Sequence, residues 1–166
     1  MKKLILTIVL ITICFWSFSQ NEKLQAVFVF NFTKYISWPQ NYSTDDFSIG
    51  VLGSEQIANE LKIIAEKRMV GSRKIIVTLY NNYKEIKKCN IIIISSSKSS
   101  QLSKVISQLS SEPTVVITNS PGLIEKGSGI NFVVLDNKQK FEIRKSNVEK
   151  NGVKLNSELL KLGVEK

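Results

Sequence analysis

Two kinds of apolar run alternate along this chain, and their order predicts a fold. Short continuous runs read as buried strands because they are rich in β-branched residues. These are "FSIGVLG" (Phe47 to Gly53), "RKIIVTLY" (Arg73 to Tyr80), "NIIIISSS" (Asn90 to Ser97) and "PTVVITNS" (Pro113 to Ser120). Between them, apolar residues recur every three to four positions, the helical period. Ile57, Leu61, Ile64 and Ala65 do so in "SEQIANELKIIAEKR", where Ser54 is the predicted N-cap. Leu102, Val105, Ile106 and Leu109 do so in "SSQLSKVISQLSS". Strand, helix, strand, strand, helix, strand predicts an α/β layer on a largely parallel sheet, with the strands in its interior.

The two ends depart from this alternation. "GINFVVLDNKQKFEIR" predicts a β-hairpin joined through Asp136 to Gln139, because polar turn residues separate two apolar runs. "LNSELLKLG" predicts a helix with a Leu155, Leu159, Leu162 stripe and Gly163 as its C-cap. "LQAVFVFNFTKYISWP", Leu24 to Pro39, predicts a helix ending about Trp38, since Pro39 disfavours helix at the residue before it. Leu24, Phe28, Val29, Phe32, Tyr35 and Ile36 fall on one broad apolar arc of that helix. Ala26, Val27 and Phe30 interrupt the polar side made by Lys23, Asn31 and Lys34. A helix apolar nearly all round is covered on more than one side. Either it is sandwiched between the sheet and the C-terminal helix, or it lends Val27 and Phe30 to a second subunit or partner. The expected fold is one three-layer α/β domain: a mainly parallel central sheet, a C-terminal β-hairpin and an N-terminal Phe-rich helix.

The first twenty residues, "MKKLILTIVLITICFWSFSQ", change where this domain is expected to work. Lys2 and Lys3 precede an apolar stretch from Leu4 to Phe18, and small residues at Ser17 and Ser19 suit a signal peptidase. Residues 1–19 are therefore read as a cleaved signal peptide and 20–166 as the exported domain, with no stable membrane insertion after cleavage. Removing Lys2 and Lys3 lowers the formal charge from +9 to +7. The excess is dispersed without a block of like charge, which argues against a nucleic-acid footprint. Export also leaves Cys89 alone, so no intramolecular disulfide is available.

Composition removes most chemistry. The chain has no histidine, hence no usual general base, no Ser–His–Asp arrangement and none of the commonest metal ligand. "GVLGS" lacks the G-x-G-x-x-G pattern of a dinucleotide site. No catalytic residue, metal site or cofactor is expected. The loops at the carboxyl ends of parallel strands gather at one edge of the sheet. They place Gly53, Ser54, Ser95, Ser96 and Asn119 around a crevice that suits a small anion, or simply cap helices and turns.

"AVFVFNFTKYISWP", followed in order by "IGVLG", "GSRKIIV", "CNIIIIS", "VVITNSPG", "GINF", "KFEI" and "LNSELLKLG", resembles the YfiR-like family of exported bacterial domains. The likeness extends over nearly all of the chain beyond the leader. It departs at Arg144, where asparagine is expected after "FEI", and at the single Cys89. The resemblance implies a non-catalytic periplasmic α/β domain. It also implies binding to the extracytoplasmic domain of a membrane signalling protein, either a diguanylate cyclase in cyclic-di-GMP signalling or a sensor kinase. Val27, Phe30, Lys34 and Trp38 are the candidate contact residues, on a surface that a homodimer would also suit. The alternative is a periplasmic small-ligand receptor using the crevice.

Overall fold

Ile91–Ile94, four consecutive isoleucines, form the strand at the centre of the molecule, and all four are fully buried. Ile91 and Ile93 enter one core and Ile92 and Ile94 another. A strand alternates its side chains between faces, so a continuous apolar run is stable only where both faces are covered. The sheet is therefore the middle of three layers. It is seen in a computed structural model that describes residues 21–42 and 45–166. The signal peptide expected over residues 1–19 lies outside the described residues.

Residues 21–32 form helix α1. Then follow β1 (Ile36–Ser37), β2 (Phe47–Leu52), α2 (Glu55–Ala65), β3 (Met69–Val70), β4 (Arg73–Tyr80) and β5 (Ile91–Ile94). After β5 come α3 (Leu102–Gln108), β6 (Val115–Thr118), β7 (Ile130–Leu135), β8 (Lys138–Ile143), α4 (Lys145–Val148), β9 (Lys154–Leu155), α5 (Ser157–Leu162) and β10 (Val164–Glu165). Eight strands pair in the order β10-β8-β7-β6-β5-β2-β4-β3. The run from β4 to β7 is parallel, and the β7–β8 hairpin and β3 close its two sides antiparallel.

One face carries α1, α2 and the C-terminal segment, through Ala26, Val29, Phe32, Ile57, Leu61, Val148 and Leu159. The other carries α3, through Leu102, Val105 and Leu109. Gly50 in β2 is required by this second face. A Cβ there would lie 2.7 Å from Ile92 Cδ1 and 3.0 Å from the Tyr80 ring.

The structure departs from the expectations at several points. The opening helix ends at residue 32 rather than near Trp38. Thr33, Lys34 and Tyr35 donate to carbonyls three residues back, tightening the last turn. Ile36–Ser37 then pairs antiparallel with Lys154–Leu155, so a two-stranded ribbon stops the helix well before Pro39 acts.

The expected apolar arc holds at Val29, Phe32 and Ile36, which are buried, and at Phe28 and Tyr35, which pack on the core, but Leu24 is exposed while Gln25, Ala26 and Thr33 are buried. β4 is not an interior strand, because β3 pairs with it only at Arg73 and Lys74. Its burial alternates, and Ile76 is exposed. In the C-terminal helix only Leu159 is buried among helical leucines, Leu155 belongs to β9, and Leu162 is exposed. Gly163 is the C-cap of this helix as expected, its N–H donating to the Leu159 carbonyl at 3.2 Å, with an extended backbone (φ −106°), and a side chain there would collide with the Phe141 ring. The hairpin turn is tighter than expected, formed by Asp136 and Asn137 at φ 53° and 57°, as a two-residue turn between twisted strands requires.

Candidate functional site

α1 lies across the hairpin. Phe28 and Phe32 pack on Phe132 and Phe141 with ring centroids 4.9 to 6.1 Å apart. This anchorage turns Val27, Phe30 and Lys34 toward α2, where they line a groove of about 660 Å³ with Ile63, Ile64 and Met69. Val27 is 41% exposed, and Ile63 and Met69 are each 50% exposed. A cluster of large apolar side chains open to water on one surface is the usual mark of a contact face.

The rim of the groove is uniformly positive. Lys34, Lys67 and Arg68 line it, and among the described residues no acidic side chain does. The ion pairs found among the described residues involve none of these three. Lys34 Nζ donates to Asn31 Oδ1 at 3.0 Å and sits 5.5 Å from the Phe30 ring centroid, so its stem covers part of that ring.

Trp38, the fourth candidate contact residue, is not in this groove. Its Nε1 donates to the Asn90 carbonyl at 3.2 Å, and its ring meets Phe47 edge-on at 4.9 Å, at the amino ends of β2 and β5. Asn90 Oδ1 accepts from Ser48 N at 2.9 Å and from Arg73 at 3.3 Å, which ties this edge together. Trp38 is half-buried there and helps close the sheet. Sequence reasoning missed Ile63, Lys67, Arg68 and Met69. Ile63 carried a signal, since it falls off the Ile57, Leu61, Ile64 face of α2 and has no core to meet.

The crevice expected at the opposite edge is filled by the protein itself. Ser95 and Ser97 hydroxyls lie 2.9 Å apart, and Ser97 Oγ donates to the Gly53 carbonyl at 3.1 Å. Gly53 is at φ 85°, and a Cβ there would collide with the Lys98 and Ser95 side chains. Ser54 Oγ accepts from Ile57 N at 3.2 Å as the α2 cap and donates to Glu22 at 3.3 Å. Gly53, Ser54 and Ser95 therefore have their polar groups committed. Ser96 and Asn119 open instead onto a different cleft, of about 550 Å³, between α1 and the hairpin.

Among the described residues no three of His, Cys, Asp and Glu gather closely enough to hold a metal ion. Cys89 is buried, and burial pushes its thiol up to about 12, away from the thiolate form.

A comparison with protein families matches residues 22–164 to the YfiR/HmsC-like family, and the chain belongs to it. No curated protein matches the sequence. Membership is consistent with a periplasmic regulator of signalling, in a family that regulates membrane signalling proteins and is generally non-catalytic. Among the described residues no helix is long and apolar enough to cross a membrane.

Proposed function

We propose that the chain is a periplasmic, non-catalytic regulator. It binds the extracytoplasmic domain of a membrane diguanylate cyclase or sensor kinase through the α1–α2 groove. The signal peptide over residues 1–19 delivers residues 20–166 to that compartment. Control follows from differential affinity: binding one state of the sensor better than the other shifts its equilibrium by that difference.

The observation that carries this reading is the pairing of an open apolar floor with an all-positive rim. Val27, Ile63 and Met69 supply area to bury, and Lys34, Lys67 and Arg68 select a partner face bearing carboxylates. The rim also argues against a homodimer through this surface. A two-fold interface sets the same patch against itself, which here would bring the three cations of each copy together. Any homodimer would use another face.

The test is crosslinking of the tagged protein in living cells of its own host, followed by identification of what is captured. Recovery of a membrane cyclase or kinase through its extracytoplasmic domain is expected, with capture lost in Phe30→Asp. Capture should also weaken as salt rises, because the rim charges are exposed to screening. Recovery of the protein alone, or capture of the sensor indifferent to Phe30→Asp, overturns the assignment.

A further inference from the structure

We infer that the cleft between α1 and the β7–β8 hairpin is a binding site for a small uncharged molecule with several hydroxyl or amide groups and one apolar face. A neutral sugar has that chemistry. The site is independent of the docking groove and lies at the carboxyl end of the parallel strands, where α/β sheets bind ligands. The crowding at Gly53, Ser95 and Ser97 displaces it sideways, from the ends of β2 and β5 to those of β6 and β7.

Carboxamides from three separate parts of the chain converge here. Asn119 Nδ2, after β6, donates to Gln25 Oε1 of α1 at 3.2 Å. Gln25 Nε2 donates in turn to Gln139 Oε1 of β8 at 3.4 Å. Gln25 is only 7% exposed, so a polar side chain on the buried face of α1 is held at the wall of the cleft. The relay is incompletely satisfied. Asn119 Oδ1 is shut off from solvent and has no hydrogen-bond partner, and both relay bonds are long. Buried carboxamides in such an arrangement have donor and acceptor capacity to share with a bound hydroxyl. Asn21 and Ser96 add polar groups at the mouth.

The remaining lining fixes the ligand's character. Pro121, Val133, Val134 and Leu135 form an apolar wall, and Val134 is 58% exposed with nothing packed over it. Among the described residues no lysine or arginine lines the cleft, although the chain carries 23 of them. Among those same residues the one charged group in the lining is Glu22, which accepts from Ser54. An anion would find no countercharge there and would meet a carboxylate. A pyranose presents hydroxyls around its rim and C–H groups on its face, matching both the amides and the wall. The volume of about 550 Å³ falls within the ordinary range for small-molecule sites.

The experiment uses protein purified from the periplasm of an expression host. It follows the side-chain amide NMR signals of Gln25, Asn119 and Gln139 and the melting temperature. Glucose, N-acetylglucosamine and trehalose are added at millimolar concentration, with glucose 6-phosphate as the charged comparison. At least one neutral sugar should shift all three amides and raise the melting temperature, and the phosphate should bind at least tenfold more weakly. Gln139→Leu should remove the response. Val134→Lys, at a position exposed enough not to disturb folding, should remove it as well. Silence of the three amides toward all three neutral sugars would sink the inference. So would binding of the phosphate as tightly as the sugars, or a response that survives both substitutions.

Discussion

The two sides of α1 are made of the same kinds of residue and have opposite fates. On one side Ala26, Val29 and Phe32 are fully buried against the sheet, with Phe32 stacked on Phe132 and edge-on to Phe141. On the other, Val27 and Phe30 face α2 across a groove that their neighbours do not close. Aromatic and aliphatic content does not distinguish these sides. What distinguishes them is whether a second element reaches over, and only the hairpin does. An apolar side chain on a helix is thus core or contact surface according to what the topology brings to it.

The comparison breaks most sharply at Phe32. Truncating a fully buried phenylalanine removes its transfer free energy and leaves a cavity, together about 3–5 kcal/mol. Phe32→Ala should lower the free energy of unfolding by that amount, seen as a lower denaturation midpoint with the slope of the transition unchanged. A loss below about 1 kcal/mol would mean that α1 is not anchored as its packing indicates.

A polar counterpart lies on the opposite face of the sheet, where side chains alternate with Ile117, Ile130, Phe132 and Phe141 of the α1-side core. Thr118, fully buried, donates to Asn131 Oδ1 at 2.7 Å, and Asn131 Nδ2 donates to Glu142 at 3.1 Å. Thr118→Val keeps the shape and strands a buried acceptor, a change costing about 1–3 kcal/mol. Equilibrium unfolding measures it, and a neutral outcome would show that Asn131 finds another donor.

The other core differs in its response to pH. Burial holds the Cys89 thiol protonated up to about 12, against an ordinary value of 9.0. In the unfolded chain that thiol ionises near its ordinary value, so above about pH 9 the unfolded state binds fewer protons than the folded one. The contribution of this group to stability is therefore intact below that pH. It declines as pH rises toward 12, with a slope of at most about 1.4 kcal/mol per pH unit. Cys89→Ala should flatten the decline. Cys89 should also resist thiol reagents until the protein unfolds, and rapid labelling of the native state would contradict its burial.

How much of this was legible in the sequence follows from the same distinction. Runs such as Ile91–Ile94 announce a strand buried on both faces, and the Ser54 cap of α2 is a local hydrogen bond to Ile57 that the sequence pattern anticipates. Both depend on short-range chemistry. The end of α1 was not legible, because β9, more than a hundred residues later, supplies the strand that pairs with Ile36. Nor was the role of Gly163, whose absent side chain makes room for the Phe141 ring. The candidate sites divide in the same way. Val27, Phe30 and Lys34 were visible as surplus on one helix, but Ile63 and Met69 come from other elements and meet them only in the folded chain. That side chains close the space at Gly53 and Ser95 was not legible, because parallel strands place loops together without saying whether their side chains fill the gap.

The smallest expected effect on stability is the most informative about the groove. Ile63 and Met69 are each half exposed, so replacing either by serine removes little buried area, and such surface changes usually stay within about 0.5 kcal/mol. Ile63→Ser and Met69→Ser should therefore melt like the parent protein while reducing sensor capture in the host. The two readouts separate the possibilities that sequence pattern alone leaves joined. A large loss of stability would place Ile63 and Met69 in the core with Phe32. An unchanged melting curve with unchanged capture would leave the groove an apolar surface without a docking role. Unchanged melting with weakened capture is the result that a contact face requires, because its apolar area is buried only when the partner arrives.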